Sequence, residues 1–158
     1  MLPVNFLTDS CPLRGADAVA AIITTEEGRY LMQLRDDIPG IFYPGHWGCF
    51  GGAVDRGENG LSALQRELAE ELEMAAPSAG EFVKLDFDLT NLGQKSCYRT
   101  YYEIEVTEAE VSRFVLHEGA AMRLFAPAEL FDLRLTPYDS FALWLHFARD
   151  RFGATDRG

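Results

Sequence analysis

The stretch from Gly51 to Met74, GGAVDRGENGLSALQRELAEELEM, gathers six acids (Asp55, Glu58, Glu67, Glu70, Glu71 and Glu73) against two bases, Arg56 and Arg66. Leu61, Leu64, Leu68 and Leu72 recur in it at spacings of three and four, which predicts an amphipathic helix over Ser62–Met74. At ~100° per residue, Glu67, Glu70 and Glu71 fall within a sector of roughly 100°, and the leucine stripe lies about 110° round from its centre. Three carboxylates therefore share one face while the neighbouring face packs down. Like charges at this spacing oppose an isolated helix by roughly 0.2–0.5 kcal/mol per pair. A hard divalent cation with oxygen ligands would offset that repulsion. A solvated acidic face is the other reading the same composition allows.

The elements around this stretch must position it. Val19–Thr25 is a β-branched apolar run, Glu26–Arg29 reads as a turn, and Tyr30–Leu34 as the second strand of a hairpin. Pro39, Gly40, Pro44 and Gly45 make Asp36–Gly45 a loop. Trp47–Val54 is apolar but carries Gly48, Gly51 and Gly52, as a strand would where something approaches closely. Pro77 stops the acidic helix. Beyond it Val83, Leu85, Phe87 and Leu89 alternate with polar residues. Tyr98–Val106 alternates too, with Tyr102, Ile104 and Val106 on one side and Glu103 and Glu105 on the other, and Met122–Phe125 is a short strand. A last helix has Thr136 as N-cap, Pro137 in its first turn with Asp139, and Phe141, Leu145, Ala148 and Phe152 as its packed face. Arg149 and Arg151 suit its carbonyl end, and Gly153 terminates it. Strands interleaved with two helices predict a layered α/β or α+β domain with a mixed sheet.

The 158 residues show no repeat and no linker-like tract, so they read as one domain, residues 1–158. A chain 47% hydrophobic and 25% charged excludes disordered, collagen-like and disulfide-miniprotein classes. The balance of 14 Lys+Arg against 25 Asp+Glu, a net charge of -11, argues against nucleic acid or an anionic membrane as partner. A small anionic substrate is compatible if a cation supplies positive charge. Cys11, Cys49 and Cys97 are odd in number and lack C-x-x-C spacing, which fits a reduced compartment. The start, Met1 to Gly15, lacks a basic n-region and apolar core, and no window approaches 18 consecutive apolar residues. The expectation is a cytoplasmic protein.

Gly52, Glu58, Arg66-Glu67, Leu68, Glu70-Glu71 and Met74 resemble the Nudix box: Gly, five residues, Glu, seven residues, Arg-Glu, an aliphatic, any residue, Glu-Glu, any residue, Gly, an aliphatic. Every charged position matches. Glu73 stands where the family usually has Gly. A residue there often needs positive φ, at a cost on the order of 1 kcal/mol for Glu; alternatively the helix runs on through Ala75-Ala76 to Pro77. The resemblance implies an α/β fold, a Nudix-like α/β/α sandwich with a mixed central sheet and two main helices. It implies a metal-dependent pyrophosphohydrolase, using Mg²⁺ or Mn²⁺, that cleaves a nucleoside diphosphate linked to another moiety by water attack on phosphorus. Such a partner is a small nucleotide or nucleotide-sugar, and a homodimer is compatible.

The resemblance also implies roles. Glu67 and Glu71 would be direct metal ligands, joined by the backbone carbonyl of Gly51. Glu70 would be a further ligand or the base acting on water. Arg66 and Glu58 would pair and orient the ligand carboxylates, and Gly52 would permit close backbone approach. The catalytic set is Glu70, Glu118 and Arg66, with Glu118, in His117-Glu118-Gly119, as base or extra ligand; Glu103 and Glu105 are weaker candidates. Arg35, at a strand end, could meet a phosphate, and Phe42, Tyr43 and Trp47 could stack on a base. His46, His117 and His146 have no metal spacing, and His146 reads as packed or capping. A different class is a Nudix-like nucleotide-binding or regulatory module without catalysis, but such modules tend to lose box glutamates that this chain retains. A prenyl diphosphate isomerase of the same superfamily would need a catalytic Cys, for which Cys49 is the nearest choice. The window from Leu89 to Leu92 lacks the Pro or Tyr that marks some subfamilies, which argues against the ADP-ribose and diadenosine polyphosphate groups.

Overall fold

The computed structural model describes residues 14–75 and 77–152. Cys11 and Gly153, and with them the expected helix terminator, lie outside the described residues. The chain runs β1 (Ala18–Thr25), β2 (Tyr30–Leu34), β3 (Trp47–Gly48), α1 (Gly60–Leu72), β4 (Gly80–Phe87), β5 (Cys97–Val106), α2 (Glu108–Val111), β6 (Ala121–Phe125), α3 (Pro127–Leu130) and α4 (Pro137–Ala148). β1 and β2 form the expected antiparallel hairpin, turned at Gly28 with φ 76°. β5 lies parallel to β1 over its length, Ala18 opposite Arg99 through Thr25 opposite Val106, and antiparallel to β4. The sheet is therefore mixed.

Alternation along the strands divides the core. Val19, Ala21, Ile23, Leu31, Tyr102 and Ile104 face Ala63, Leu64, Leu68 and Leu72 of α1. Ala20, Ile22, Tyr30, Met32, Tyr101 and Phe125 face Ala142 and Leu143 of α4. The period-2 strands thus present two apolar faces, and each is covered by one helix. The result is an α/β/α sandwich.

Three details depart from the sequence reading. The run Trp47–Val54 is not one strand. β2 pairs β1 through Tyr30 and Leu31 but β3 through Gln33 and Leu34, so the following segment passes from β2 to β1, bridging Phe50 to Ala21 and Ala53 to Ala18. It is wedged where two strands diverge, and its glycines serve that crossing. Leu61 sits on the α1 stripe yet is 39% exposed. In α4 the packed face is Asp139, Ala142, Leu143, His146 and Ala148, whereas Phe141 and Phe152 point outward. Polar Asp139 and His146 find partners on the strands beneath, which lets them displace the aromatics from the core.

Candidate functional site

α1 begins at Asn59, whose side chain accepts the Ser62 amide at 2.9 Å. It ends at Glu73 in the left-handed region, φ 55°, with the Glu73 amide bonded to the Ala69 carbonyl and the Met74 amide to the Leu68 carbonyl. The helix therefore does not run on to Pro77. Glu73 accepts the strain, of about 1 kcal/mol, and its carboxylate is held by His117 Nε2 at 2.6 Å. That contact also moors the loop after α2. The His117 amide donates to the Glu71 carbonyl at 2.9 Å and the Val115 amide to the Leu72 carbonyl at 3.2 Å. Glu118 is thereby brought to the acidic face of α1 from 47 positions downstream of Glu71.

Glu71 is the centre of the site. It is 3% exposed. Its Oε2 accepts the Gly51 amide at 3.0 Å, and Oε1 accepts Gln33 Nε2 at 3.4 Å. Burial first, then the charge of Glu118 and that of Glu67, push its pKa up to about 8, against the pull of the Gly51 amide and Gln33. Burial likewise raises Glu67, opposed by Arg66. The wedge segment sets the floor. Gly51 has φ 137°, and a Cβ on it would collide with the Val19 carbonyl oxygen. A Cβ on Gly52 would stand 2.5 Å from the Glu67 carboxyl carbon. Only glycine lets β1, the wedge and the carboxylates approach so closely.

Arg66 knits the flank. Its Nε and Nη2 donate to the two oxygens of Glu58 at 2.9 and 3.0 Å, Nη1 to Glu67 Oε1 at 2.7 Å, and Nη2 also to the Ala53 carbonyl at 3.0 Å. The Glu58 carboxyl is held below its usual range, chiefly by the Arg66 hydrogen bond. Glu70 lies on the solvent side, its side chain 63% exposed and 3.7 Å from Arg66. The donors suit a hard cation: carboxylate oxygens crowded in low dielectric, where burial and then the charges of Glu118 and Glu67 push the Glu71 pKa up to about 8. Among the described residues no three His, Cys, Asp or Glu side chains form a ligand cage, and Glu67 Oε1 is bonded to Arg66.

The other residues singled out from the sequence lie elsewhere. Trp47 is committed to the α4-side core, edge-on to Phe125 at 4.8 Å. Tyr43, at φ 50°, rests its ring edge-on against His46 and Tyr138. Arg35 donates its Nε to the Phe42 carbonyl at 2.8 Å, and Phe42 itself is 37% exposed. Glu103 faces α4, bonded to Arg149 and His146 at 2.9 Å each, on the opposite side of the sheet from Glu71. His146 is packed, as expected, its Nδ1 2.8 Å from the Tyr30 hydroxyl. Cys49 is 3% exposed, and burial raises its thiol pKa well above the usual value, which removes the nucleophile an isomerase would need. Gln33 escaped the sequence reading. It is 4% exposed and joins Glu71 to the Glu118 carbonyl, which its Nε2 meets at 2.9 Å. Its signal was a single amide in the apolar strand YLMQL.

A family model described as NUDIX domain matches residues 15–151. The chain belongs to the NUDIX family. With that membership comes the reaction class, hydrolysis of phosphoric anhydride bonds. Comparison of the sequence with curated proteins finds no match. Solved structures share the fold. A MutT protein from Methanosarcina mazei Go1 is similar at 20% identity and TM-score 0.69, over 91% of this chain and 100% of that one. The dihydroneopterin triphosphate pyrophosphohydrolase of E. coli is similar at 18% identity and TM-score 0.68, over 89% and 99%. The NUDIX domain of Shewanella oneidensis NrtR, solved in complex with ADP ribose, is similar at 16% identity and TM-score 0.64, over 97% and 100%. Among the described residues of this NUDIX chain, no helix is long and apolar enough to cross a membrane.

Proposed function

We propose that this NUDIX protein is a divalent-metal-dependent pyrophosphohydrolase acting on a small nucleoside diphosphate derivative in the cytoplasm. The observation that carries the reading is Glu71, buried beside Glu67 and within reach of Glu118's charge, with its pKa pushed up to about 8. A carboxylate cluster so short of positive charge is built to gain a cation. Glu67 and Glu71 would hold it, with Glu70 joining from the rim and the Gly51 backbone lining the floor. Mg²⁺ or Mn²⁺ there would neutralise charge on the diphosphate and polarise a P–O bond of the phosphorus that water attacks.

The chain's own groups do the rest. Arg66, fixed by Glu58, sets the direction of Glu67. Gln33 donates to one oxygen of Glu71 and the Gly51 amide to the other, which orients the carboxylate. Glu118 is exposed at the mouth and accepts the proton from the attacking water. Its loop is tied to α1 and β2 by backbone and amide hydrogen bonds, so it cannot drift from the site. Glu103 stays with Arg149 and His146 on the other face of the sheet. The box acids Glu58, Glu67, Glu70 and Glu71 are all retained, which favours hydrolysis over a sensing role that binds a nucleotide without turning it over.

Incubating the protein with a panel of ~100 phosphate compounds and Mg²⁺, and measuring released phosphate and pyrophosphate, tests this directly. Hydrolysis abolished by EDTA and restored by Mg²⁺ or Mn²⁺ is expected. Full turnover in chelator, or ligand binding without any turnover across the panel, overturns it.

A further inference from the structure

Asp139 lies on α4, across the sheet from the glutamates, and is 1% exposed. Its Oδ1 accepts the Tyr101 hydroxyl at 2.7 Å and Arg99 Nε at 3.3 Å. Its Oδ2 accepts the Thr136 hydroxyl at 2.8 Å and the Cys49 amide at 2.9 Å. A carboxylate has about four acceptor sites, and all are taken. Arg99 is itself sandwiched over the Tyr101 and Tyr138 rings at 5.4 and 4.9 Å. Gly48 stands so close that a Cβ on it would meet Asp139 Oδ2 at 2.7 Å.

The Cys49 amide is the feature that gives this cluster consequence. Cys49 opens the wedge segment whose Gly51 amide holds Glu71. From there the backbone is pinned in alternation: the Phe50 carbonyl by the Ala21 amide at 2.8 Å, the Gly52 carbonyl by the Val19 amide at 2.9 Å. Asp139 anchors the one end of that run that leaves β3 before it reaches β1. The anchor is buried and meets four donors, and Phe50 alone stands between Cys49 and Gly51, so the run has little slack.

We infer that Asp139, buttressed by Arg99, is a positioning residue for the reaction: it acts through the Cys49 amide to set the Gly51 amide against Glu71. This rests on the reading of Glu71 as a member of the active site. Asparagine at position 139 offers one acceptor oxygen and one donor group to a shell made of donors. The Cys49 amide and Arg99 cannot become acceptors, so one of them loses its partner.

The experiment combines kinetics with native-state hydrogen exchange on Asp139→Asn. The kcat is expected to fall about tenfold with KM within threefold. Exchange of the Gly51 amide is expected to quicken about tenfold or more relative to the Leu64 and Leu68 amides of α1, which report global opening. A merely structural role would speed all three amides equally. Should Asp139→Asn fail to fold, the paired variant Arg99→Met with Asp139→Leu removes both charges together and leaves the Cys49 amide unanchored, with the same kinetic and exchange signature expected. The oxygen left in Asp139→Asn can stay on the Cys49 amide and leave Arg99 unpaired, so the deciding variant is the pair Arg99→Met with Asp139→Leu: uniform exchange in it, or a change confined to KM, overturns the inference. The exchange measurement needs no substrate, so its outcome stands whether or not the hydrolase reading does.

Discussion

Glu71 and Asp139 flank the same short backbone segment from opposite faces of the sheet. Both are all but sealed from solvent, 3% and 1% exposed. Asp139 meets four donors, one of them a guanidinium. Glu71 meets two neutral amides and the charges of two further carboxylates. One cluster is closed: its desolvation is matched by hydrogen bonds and an opposite charge, and nothing from outside improves it. The other is open, because like charges have been crowded where water cannot screen them. Burial alone does not mark a functional site. Burial with an unmatched charge does.

The largest effect that tests this contrast is on turnover. Glu71→Gln removes one negative charge from the open cluster and should lower kcat by ~10²-fold or more, about 3 kcal/mol, when assayed at saturating Mg²⁺. The metal-free melting temperature of that variant should stay level or rise, since repulsion is relieved. Near-normal turnover would show that Glu71 is not needed for charge neutralisation.

At the closed cluster the sign reverses. Arg99→Met leaves Asp139 buried without its countercharge, and removal of one partner of a buried pair costs about 3 kcal/mol. For a chain of this size that is some 6–12 °C in melting temperature. Calorimetry of the two variants side by side checks the pair of predictions; a stabilised Arg99→Met would mean that the closed cluster is no better balanced than the open one.

The pH dependence sharpens the comparison further. Glu71's folded pKa, about 8, lies above its ordinary 4.5. Between those values the folded chain binds more protons than the unfolded chain. Metal-free stability therefore falls as pH rises through that window. Melting scans in EDTA should give a midpoint several degrees lower at pH 8 than at pH 5.5, while the rise on adding millimolar Mg²⁺ should be larger at pH 8, where the cation competes with a proton already leaving. Glu71→Gln should flatten the EDTA profile. A wild-type midpoint that climbs toward pH 8 in EDTA would place the controlling group elsewhere.

The smallest expected effect concerns the helix end. Glu73→Gly relieves left-handed strain of about 1 kcal/mol but gives up the His117 contact, which is exposed and worth ~0–1 kcal/mol. Stability should move by less than about 1 kcal/mol and kcat by no more than a few-fold. Loss of activity in this variant would assign Glu73–His117 a larger part in holding the Glu118 loop.

Much of the open cluster was legible because it is local. Glu67, Glu70 and Glu71 sit on one helix, and 3.6-residue periodicity fixes their relation without reference to anything else. The match of Gly52, Glu58 and Arg66 to the box rests on the same short range. Leu64, Leu68 and Leu72 were equally plain, being apolar residues at helical spacing that any sheet would cover. The closed cluster was not legible. Asp139 read as a first-turn helix acid, and the α4 face was drawn through Phe141, Leu145, Ala148 and Phe152. The true face carries Asp139 and His146, whose partners, Arg99, Tyr101, Tyr30 and Glu103, come from strands 38 to 116 positions away. Hydropathy counts such residues as outward because it cannot see a distant partner.

By itself, then, the sequence determined the hairpin, the acidic helix, the alternating strands and the box with its ligand-type carboxylates, since all of these depend on period and side-chain chemistry within a few turns. The tertiary structure decided which carboxylates are buried and which stay on the rim. It placed Gln33 and Glu118 beside Glu71, split Trp47–Val54 between two strands, and turned Asp139 inward. Those outcomes depend on which backbone groups diverging strands leave unpaired and on which buried charges find a partner, and both are settled only when segments far apart in the chain are brought into contact.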